Sequence, residues 1–212
     1  MLETFAKLPL DKQTKILDAA AGVFAEKGYY EANISSICQR AGISNGALYK
    51  YFRNKESLFL SVLEHGVELM VREYYQKYTD FNLSTKENIY NLLRGIQQFA
   101  VQYPDYVAIY SHLGSGAMNK FAFITSERIE REAKDFFVKL IEKGQQQKEL
   151  SPHLDSTSAA FLVDSYITLY AYSLVSEYHK WRFDSFFAAP GESLSEDEKI
   201  EIIMNSINDV LK

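Results

Sequence analysis

The side chains with the clearest chemical purpose lie between Ala41 and Lys55. Ala41-Gly42-Ile43-Ser44 ends a short helix at a glycine, adds one apolar spacer and offers a serine hydroxyl to cap a new helix. The new helix, about Asn45 to Tyr51, is too short to be an ordinary core element. It carries polar and aromatic groups where a surface helix would carry Glu and Lys. This is the pattern of a helix-turn-helix, whose second helix enters the major groove of DNA. Asn45 sits at the helix N-terminus, and Asn pairs bidentately with adenine. Gly46 lets the backbone come close to the bases. Ala47 can touch a thymine methyl but cannot donate a hydrogen bond. Lys50 and Arg53 add charge toward the phosphates, and Lys55 opens the next helix, where side chain and free backbone amides can both meet a phosphate. Ser44 has two candidate roles, cap and phosphate donor. The cap comes first, because an uncapped helix this short would fray. Leu48 and Phe52 read as core, and ordinary packing for Tyr49 or ordinary solvation for Lys50 are the competing readings.

The elements that must hold this segment follow from periodicity. Ile16, Leu17, Ala20, Val23 and Phe24 predict a helix over about 10–27, closed at Gly28 in a left-handed cap. Asn33 can cap the next helix, with Ile34, Ile37, Cys38 and Ala41 inward. A longer helix opens at Asn54 or Lys55 and is expected to run to near Tyr78. Ser84-Thr85-Lys86-Glu87 has the capping-box pattern and opens a helix to about Tyr103. Pro104 suits the first turn of a helix to about Leu113. A long helix is predicted from about Phe123 to Gln147. Another, capped by Asp155, should run through Trp181, nearly apolar all round between Phe161 and Val175, so that two faces are buried. A loop is expected over 186–194, and a second capping box, Ser195 to Glu198, opens a last helix to Lys212 with Ile200, Ile203, Ile207 and Leu211 on one stripe. The prediction is an all-α chain of about nine helices. An N-terminal three-helix domain covers 1–55, and a helical ligand-binding and dimerisation domain covers 56–212.

Bulk properties set limits on this reading. The net charge is −5, yet residues 1–55 hold eight Lys/Arg against five acids and are positive, so the acidity belongs to the remainder. A basic head on an acidic body suits phosphate contact at one end. The single cysteine, Cys38, excludes an internal disulfide and a multi-Cys metal site, and reads as a small buried hydrophobe. No secretory signal and no membrane-length apolar window of ~18 residues is visible, so a cytoplasmic protein with no membrane partner is expected. The four histidines have no metal-ligand spacing, so no metal and no cofactor is assigned.

Several short blocks occur together at fixed spacings: Ile16-Leu17-Asp18-Ala19-Ala20, Val23-Phe24, Lys27-Gly28-Tyr29, Ile34-Ser35-Ser36-Ile37, Ala41-Gly42-Ile43-Ser44, Gly46-Ala47-Leu48-Tyr49, Tyr51-Phe52 and Asn54-Lys55-Glu56-Ser57-Leu58. In these the first 60 or so residues resemble the tetracycline-repressor (TetR) family of bacterial regulators. The remainder resembles it only in helix count, lengths and order. The resemblance implies that Tyr49 and Tyr51 reach phosphates through their hydroxyls. It also implies an effector pocket in the C-terminal body and a dimer built from the helices at about 155–181 and 195–212. The chain departs from the family at Ala32, Asn33 and Ala47, where Thr or Ser is frequent. Asn33 can still cap, but Ala32 loses a hydroxyl contact.

The C-terminal body is rich in aromatic side chains. Tyr74, Tyr78, Phe99, Tyr103, Tyr110, Phe137, Tyr166 and Tyr170 are the candidate ligand-binding residues, with walls suited to a flat or lipophilic ligand. A tyrosine-rich core and dimer face is the competing reading for each. Asp164 interrupts an apolar stretch. It is a counter-charge for a cationic ligand, a hydrogen-bond acceptor in the pocket, a partner across an interface or a solvated acid. His112 is a weaker ligand candidate.

The leading expectation is therefore a regulator that binds a near-palindromic double-stranded DNA operator as a homodimer and is released by a small-molecule effector. A repressor comes before an activator. A non-specific architectural DNA binder is the alternative. An enzyme is disfavoured, since there is no Gly-rich phosphate loop, nucleophile elbow or metal cluster.

Overall fold

In a computed structural model, the structure describes residues 2–211, and only the backbone of 117 and 122–126. Lys212, the expected end of the last helix, lies outside the described residues. All regular structure among those described is helical: α1 (Glu3–Ala6), α2 (Leu10–Glu31), α3 (Ile34–Ala41), α4 (Asn45–Tyr49), α5 (Lys55–Leu69), a π-helical stretch (Met70–Tyr75), α6 (Thr85–Gln102), α7 (Pro104–Leu113), a 3-10 turn (Gly116–Met118), α8 (Asn119–Gln146), α9 (Ser156–Val175), α10 (Glu177–Phe187) and α11 (Glu196–Val210). Two α-helices exceed the expected nine. One is α1, in a segment given no prediction. The other arises because the helix expected over 155–181 breaks at Ser176, whose backbone is extended at φ −132° and ψ 118°. The loop expected from 186 accordingly starts at Ala188.

The predicted caps form. The Asn33 side chain accepts from Ser36 N–H, Ser44 from Ala47 N–H and Asp155 from Ser158 N–H. Both capping boxes, Ser84 with Glu87 and Ser195 with Glu198, are complete. Gly28 has the positive φ of 68° that a helix end calls for, but ψ is 168°, and one more short helical turn follows to Glu31. The helix expected to run to Tyr78 is α-helical only to Leu69 and then widens into the π stretch.

The chain divides into two compact units, Met1–Leu69 with Asp105–Ser126 and Met70–Pro104 with Glu127–Lys212, a division that differs from the expected boundary at residue 55. In the first unit α2 packs on α3 and α5. Its core holds Ile16, Leu17, Phe24, Ile37, Leu48, Phe52, Leu58 and Phe59. Phe24 and Phe59 meet edge to face at 4.9 Å, which is why the first turns of α5 belong here. Cys38 is buried as expected, and burial pushes its thiol pKa up.

In the second unit α6 packs on α9, α11 and the π stretch. The stripe Ile200, Ile203, Ile207 and Leu211, assigned to a dimer face, is already buried within the chain. The expectation that no apolar window reaches membrane length also needs correcting. Helix α9 is long and apolar enough to cross a membrane by length and composition. Its buried positions, Ala159, Ala160, Val163, Ile167, Tyr170 and Ala171, are those of a helix packed into a core.

Candidate nucleic-acid interface

The turn between α3 and α4 is closed by backbone geometry. Gly42 adopts the left-handed conformation at φ 71° and ψ 36°. Gly42 N–H donates to Gln39 C=O and Ile43 N–H to Cys38 C=O, at 3.3 and 3.0 Å. This is the Schellman arrangement, which satisfies two carbonyls at the end of α3 and sends the chain off at a fixed angle. Ser44 then caps α4 through Ala47 N–H at 3.2 Å. The cap role expected of Ser44 is thus formed, and its exposed side chain keeps lone-pair capacity besides.

Helix α4 has five residues and one buried side chain, Leu48. Asn45, Gly46, Tyr49 and Lys50 are exposed, and Ala47 and Tyr51 are half-buried. A Cβ added at Gly46 would meet nothing within 4 Å, so its open surface faces no part of the chain. Tyr49 leaves 53% of its surface in solvent, far more than a packing residue would. Asn45 Nδ2 donates to Ser35 Oγ at 3.2 Å. That bond ties the first residue of α4 to α3 and leaves the amide oxygen as an acceptor. Asn33 is exposed at the start of α3, its side-chain oxygen accepting from Ser36 N–H at 2.8 Å.

Lys55 is a correction. Its Nζ donates to three backbone carbonyls, Tyr29 at 2.8 Å, Tyr30 at 3.1 Å and Ala32 at 2.9 Å, and lies 4.6 Å from the centre of the Tyr29 ring. An ammonium has three N–H bonds. All three close the frayed end of α2, so the side chain is a helix cap and its expected phosphate contact loses its donors. The start of α5 is capped reciprocally by Asn54 and Ser57: Ser57 N–H donates to Asn54 Oδ1 at 2.8 Å and Asn54 N–H to Ser57 Oγ at 3.2 Å.

Sequence reasoning missed several supports of this surface. Ser35 is one. Arg40 is another: its Nη1 bonds Glu26 Oε1 at 2.5 Å, and its guanidinium lies where any side chain at Gly22 would collide, 2.6 Å from an added Cβ. Tyr106 is a third, with its hydroxyl donating to Asp18 Oδ1 at 2.8 Å and its ring 3.0 Å from a Cβ added at Gly66. These contacts join positions 10 to 88 residues apart, and local patterning carries no trace of them.

The expected ligand residues divide. Tyr74, Tyr78, Phe99 and Tyr103 form a chain of rings in the second unit, with neighbouring centroids 5.0–6.4 Å apart. Tyr75 stacks on Phe136 at 4.3 Å and meets Phe137 edge to face at 5.9 Å. Burial and the neighbouring Glu130 carboxylate push the Asp164 pKa up to about 6. Asp164 in turn raises the already elevated pKa values of Tyr74 and Tyr75. The Tyr74 hydroxyl is buried without a hydrogen-bond partner. Tyr170 is fully buried with its hydroxyl facing the Glu196 carboxylate, and Tyr166 is half-buried. Tyr110 is not in this group, since it belongs to the first unit. His112 lies in that unit too, on the rim of a hollow of about 250 Å³ lined also by Phe24, Phe59, Ile109 and Met118.

Comparison with known proteins adds to this geometry. Residues 16–62 match the family described as bacterial regulatory proteins, tetR family. The fatty acid metabolism regulator protein of Bacillus subtilis is 36% identical over 72 residues, which is 32% of this chain and 37% of that protein, so the chain spans little more than a third of that relative's length. A putative TetR-family transcriptional regulator from Rhodococcus sp. superposes with a TM-score of 0.73 at 17% identity, covering 96% of this chain and all of the other. The transcriptional regulator FadR from Bacillus subtilis, solved in complex with stearoyl-CoA, gives 0.68 at 16% identity over 94% and 97%. At these identities the superpositions establish the fold. The matched span begins at Ile16, nearly two helical turns before the Gly22 that seats Arg40, and ends at Val62 in the core of α5. It therefore takes in the whole α3–turn–α4 device with the helices that brace it, and it is this N-terminal segment that is similar to the tetR family of bacterial regulatory proteins.

Proposed function

We propose that this chain is a sequence-specific DNA-binding transcriptional regulator, a repressor released from a near-palindromic operator by a small lipophilic ligand. The observation that carries the reading is the exposed face of α4. Asn45, Gly46, Tyr49 and Lys50 all face solvent on a helix whose one buried side chain is Leu48. A five-residue helix with a Schellman turn before it and one core contact serves to present a surface, and amide, phenol and ammonium groups suit base edges and phosphates. A catalytic role is not proposed. Among the described residues no group of three or more His, Cys, Asp or Glu could hold a metal ion.

The ligand reading rests on the ring chain in the second unit and on the unpaired Tyr74 hydroxyl. A buried hydroxyl left unpaired costs about 1–3 kcal/mol, which a ligand acceptor would recover. The relative solved with stearoyl-CoA makes a long acyl group a reasonable first test. A homodimer is proposed through α9 and α10, which expose Phe161, Leu162, Leu169, Tyr178, Trp181, Phe186 and Phe187. Helix α10 has no buried residue at all, so its rings await another surface. Two copies would present two α4 helices to two half-sites, in the cytoplasm where such DNA is found.

The test is selection from a random DNA pool by the purified protein, followed by binding of the winner and a scrambled duplex at two salt concentrations. The expected result is an enriched near-palindrome, bound with steep salt dependence and weakened by acyl ligands. Equal affinity for the scrambled duplex would favour an architectural binder instead.

A further inference from the structure

Resting on the DNA-binding reading above, we infer that residues 2–8 act as a strap that positions the recognition helix α4, with the Thr4 hydroxyl as its specificity-determining contact. Helix α4 is short enough that its geometry cannot come from its own hydrogen bonds. Carbonyls at a helix C-terminus have no partner within the helix, and a helix of one turn is unstable alone. At its start the Asn45–Ser35 bond holds it to α3. Just beyond its end, the carbonyls of Lys50 and Tyr51 are both met from residues 2–4, at the start of α1. The Thr4 hydroxyl donates to Lys50 C=O. Leu2 N–H donates to Tyr51 C=O at 2.9 Å.

Packing reinforces the strap. Phe5, 1% exposed, lies 4.7 Å from the Phe52 ring and 5.9 Å from the Tyr51 ring, centroid to centroid. The far end of the strap is fixed as well. Gln13 Nε2 on α2 donates to Leu8 C=O at 2.8 Å, and Pro9 C=O accepts from Lys12 and Gln13 N–H to start α2. The strap thus runs from a helix anchored in the core to the last turn of the helix that faces outward. Lys50 and Tyr51, whose carbonyls it holds, bear two of the side chains expected to face DNA. Residues that read a ligand are useful only when a second layer fixes their orientation, and here that layer is α1. Loss of the hydroxyl bond should therefore reduce discrimination between sequences more than overall attraction to phosphates, which depends on charge.

The test uses the full chain with Thr4→Val, which keeps the shape and removes the donor, and Thr4→Ser, which keeps the donor. Hydrogen exchange is followed for the amides of 45–53, together with affinities for the selected operator and for scrambled duplex. The expected result for Thr4→Val is exchange about three- to tenfold faster in that segment and a similar loss in the operator-to-scrambled ratio. Scrambled-duplex affinity and exchange elsewhere in the head stay unchanged, and Thr4→Ser restores both readouts. Unchanged exchange at 45–53, or failure of Thr4→Ser to restore it, overturns the strap. Faster exchange with an unchanged operator ratio overturns its role in specificity. If the parent protein prefers no sequence, the regulator reading fails by itself, and exchange still decides whether the strap exists.

Discussion

The head around α3 and α4 and the part of the second unit around α9 and α10 are built on opposite rules. In the head the ends of α3 and α4 are closed from within the chain. Asn33 and Ser44 cap their starts, Gly42 turns the corner, and Thr4 and Leu2 cover the carbonyls beyond α4. Around α10 little is closed. Its N-terminal residue Ser176 makes no side-chain cap, none of its residues is buried, and Trp181 and Phe186 are 68% and 70% exposed. The second unit also buries a tyrosine hydroxyl with no partner. A region that satisfies itself is specified by its own sequence. A region that leaves rings and hydroxyls unmatched is specified in part by what binds it.

Substitutions can break this comparison, and the largest effect belongs to the head. Leu48→Ala removes the one buried side chain of α4 and should destabilise the head by ~2–5 kcal/mol, abolishing operator binding. Chemical unfolding measures it, and a loss under 1 kcal/mol (about the cost of a surface change) would mean that α4 is not anchored through the core. Lys55→Met comes next. It strips three carbonyls of a charged donor and should cost roughly 2 kcal/mol of stability while leaving the salt slope of DNA binding as it was. A flatter slope with intact stability would return Lys55 to the phosphates.

In the second unit the sign of a pH effect is informative. The fold holds the Asp164 carboxyl protonated up to about pH 6, above its ordinary range, so ionising it costs stability. Native stability attributable to this group falls as pH rises from about 4 to about 6, and Asp164→Asn should gain about 3 kcal/mol above that window and nothing below it. Thermal melts across the range check this, and a gain independent of pH would refute it. The smallest effect on folding is expected of Trp181→Ser, within about 0.5 kcal/mol for a monomer. Sedimentation should nonetheless show a weaker dimer. An unaltered association constant would move the interface away from α10.

The parts of the fold that could be read from sequence are those decided within one helical turn. Ser84 with Glu87 and Ser195 with Glu198 are complete because each box needs only residues three apart. The helix-turn-helix was legible for the same reason, with Gly42 and Ser44 two positions apart. Contacts across long separations were not. Lys55 at the start of a helix looked like a phosphate ligand, because its true partners, the carbonyls of Tyr29, Tyr30 and Ala32, are more than twenty residues away. Thr4 and Lys50 are 46 apart. The break at Ser176 was hidden because no Gly or Pro marks it and the apolar run reads straight through. The stripe on α11 could be recognised as buried, but not whether its partner was the same chain or another copy.

The π-helical stretch at Met70–Tyr75 has a consequence in the language of insertions and deletions. Its wider turn, seen in the bond from Gln76 N–H to Val71 C=O at 3.0 Å, accommodates one residue more than an α-helix would over the same arc. Removing one exposed residue there, such as Arg72, would let the backbone revert to ordinary α-helix with the flanking faces still in phase. The same deletion in the middle of α5 would turn every later side chain by about 100°. Length variation along this helix is therefore tolerable at one place, and that place lies next to Tyr74.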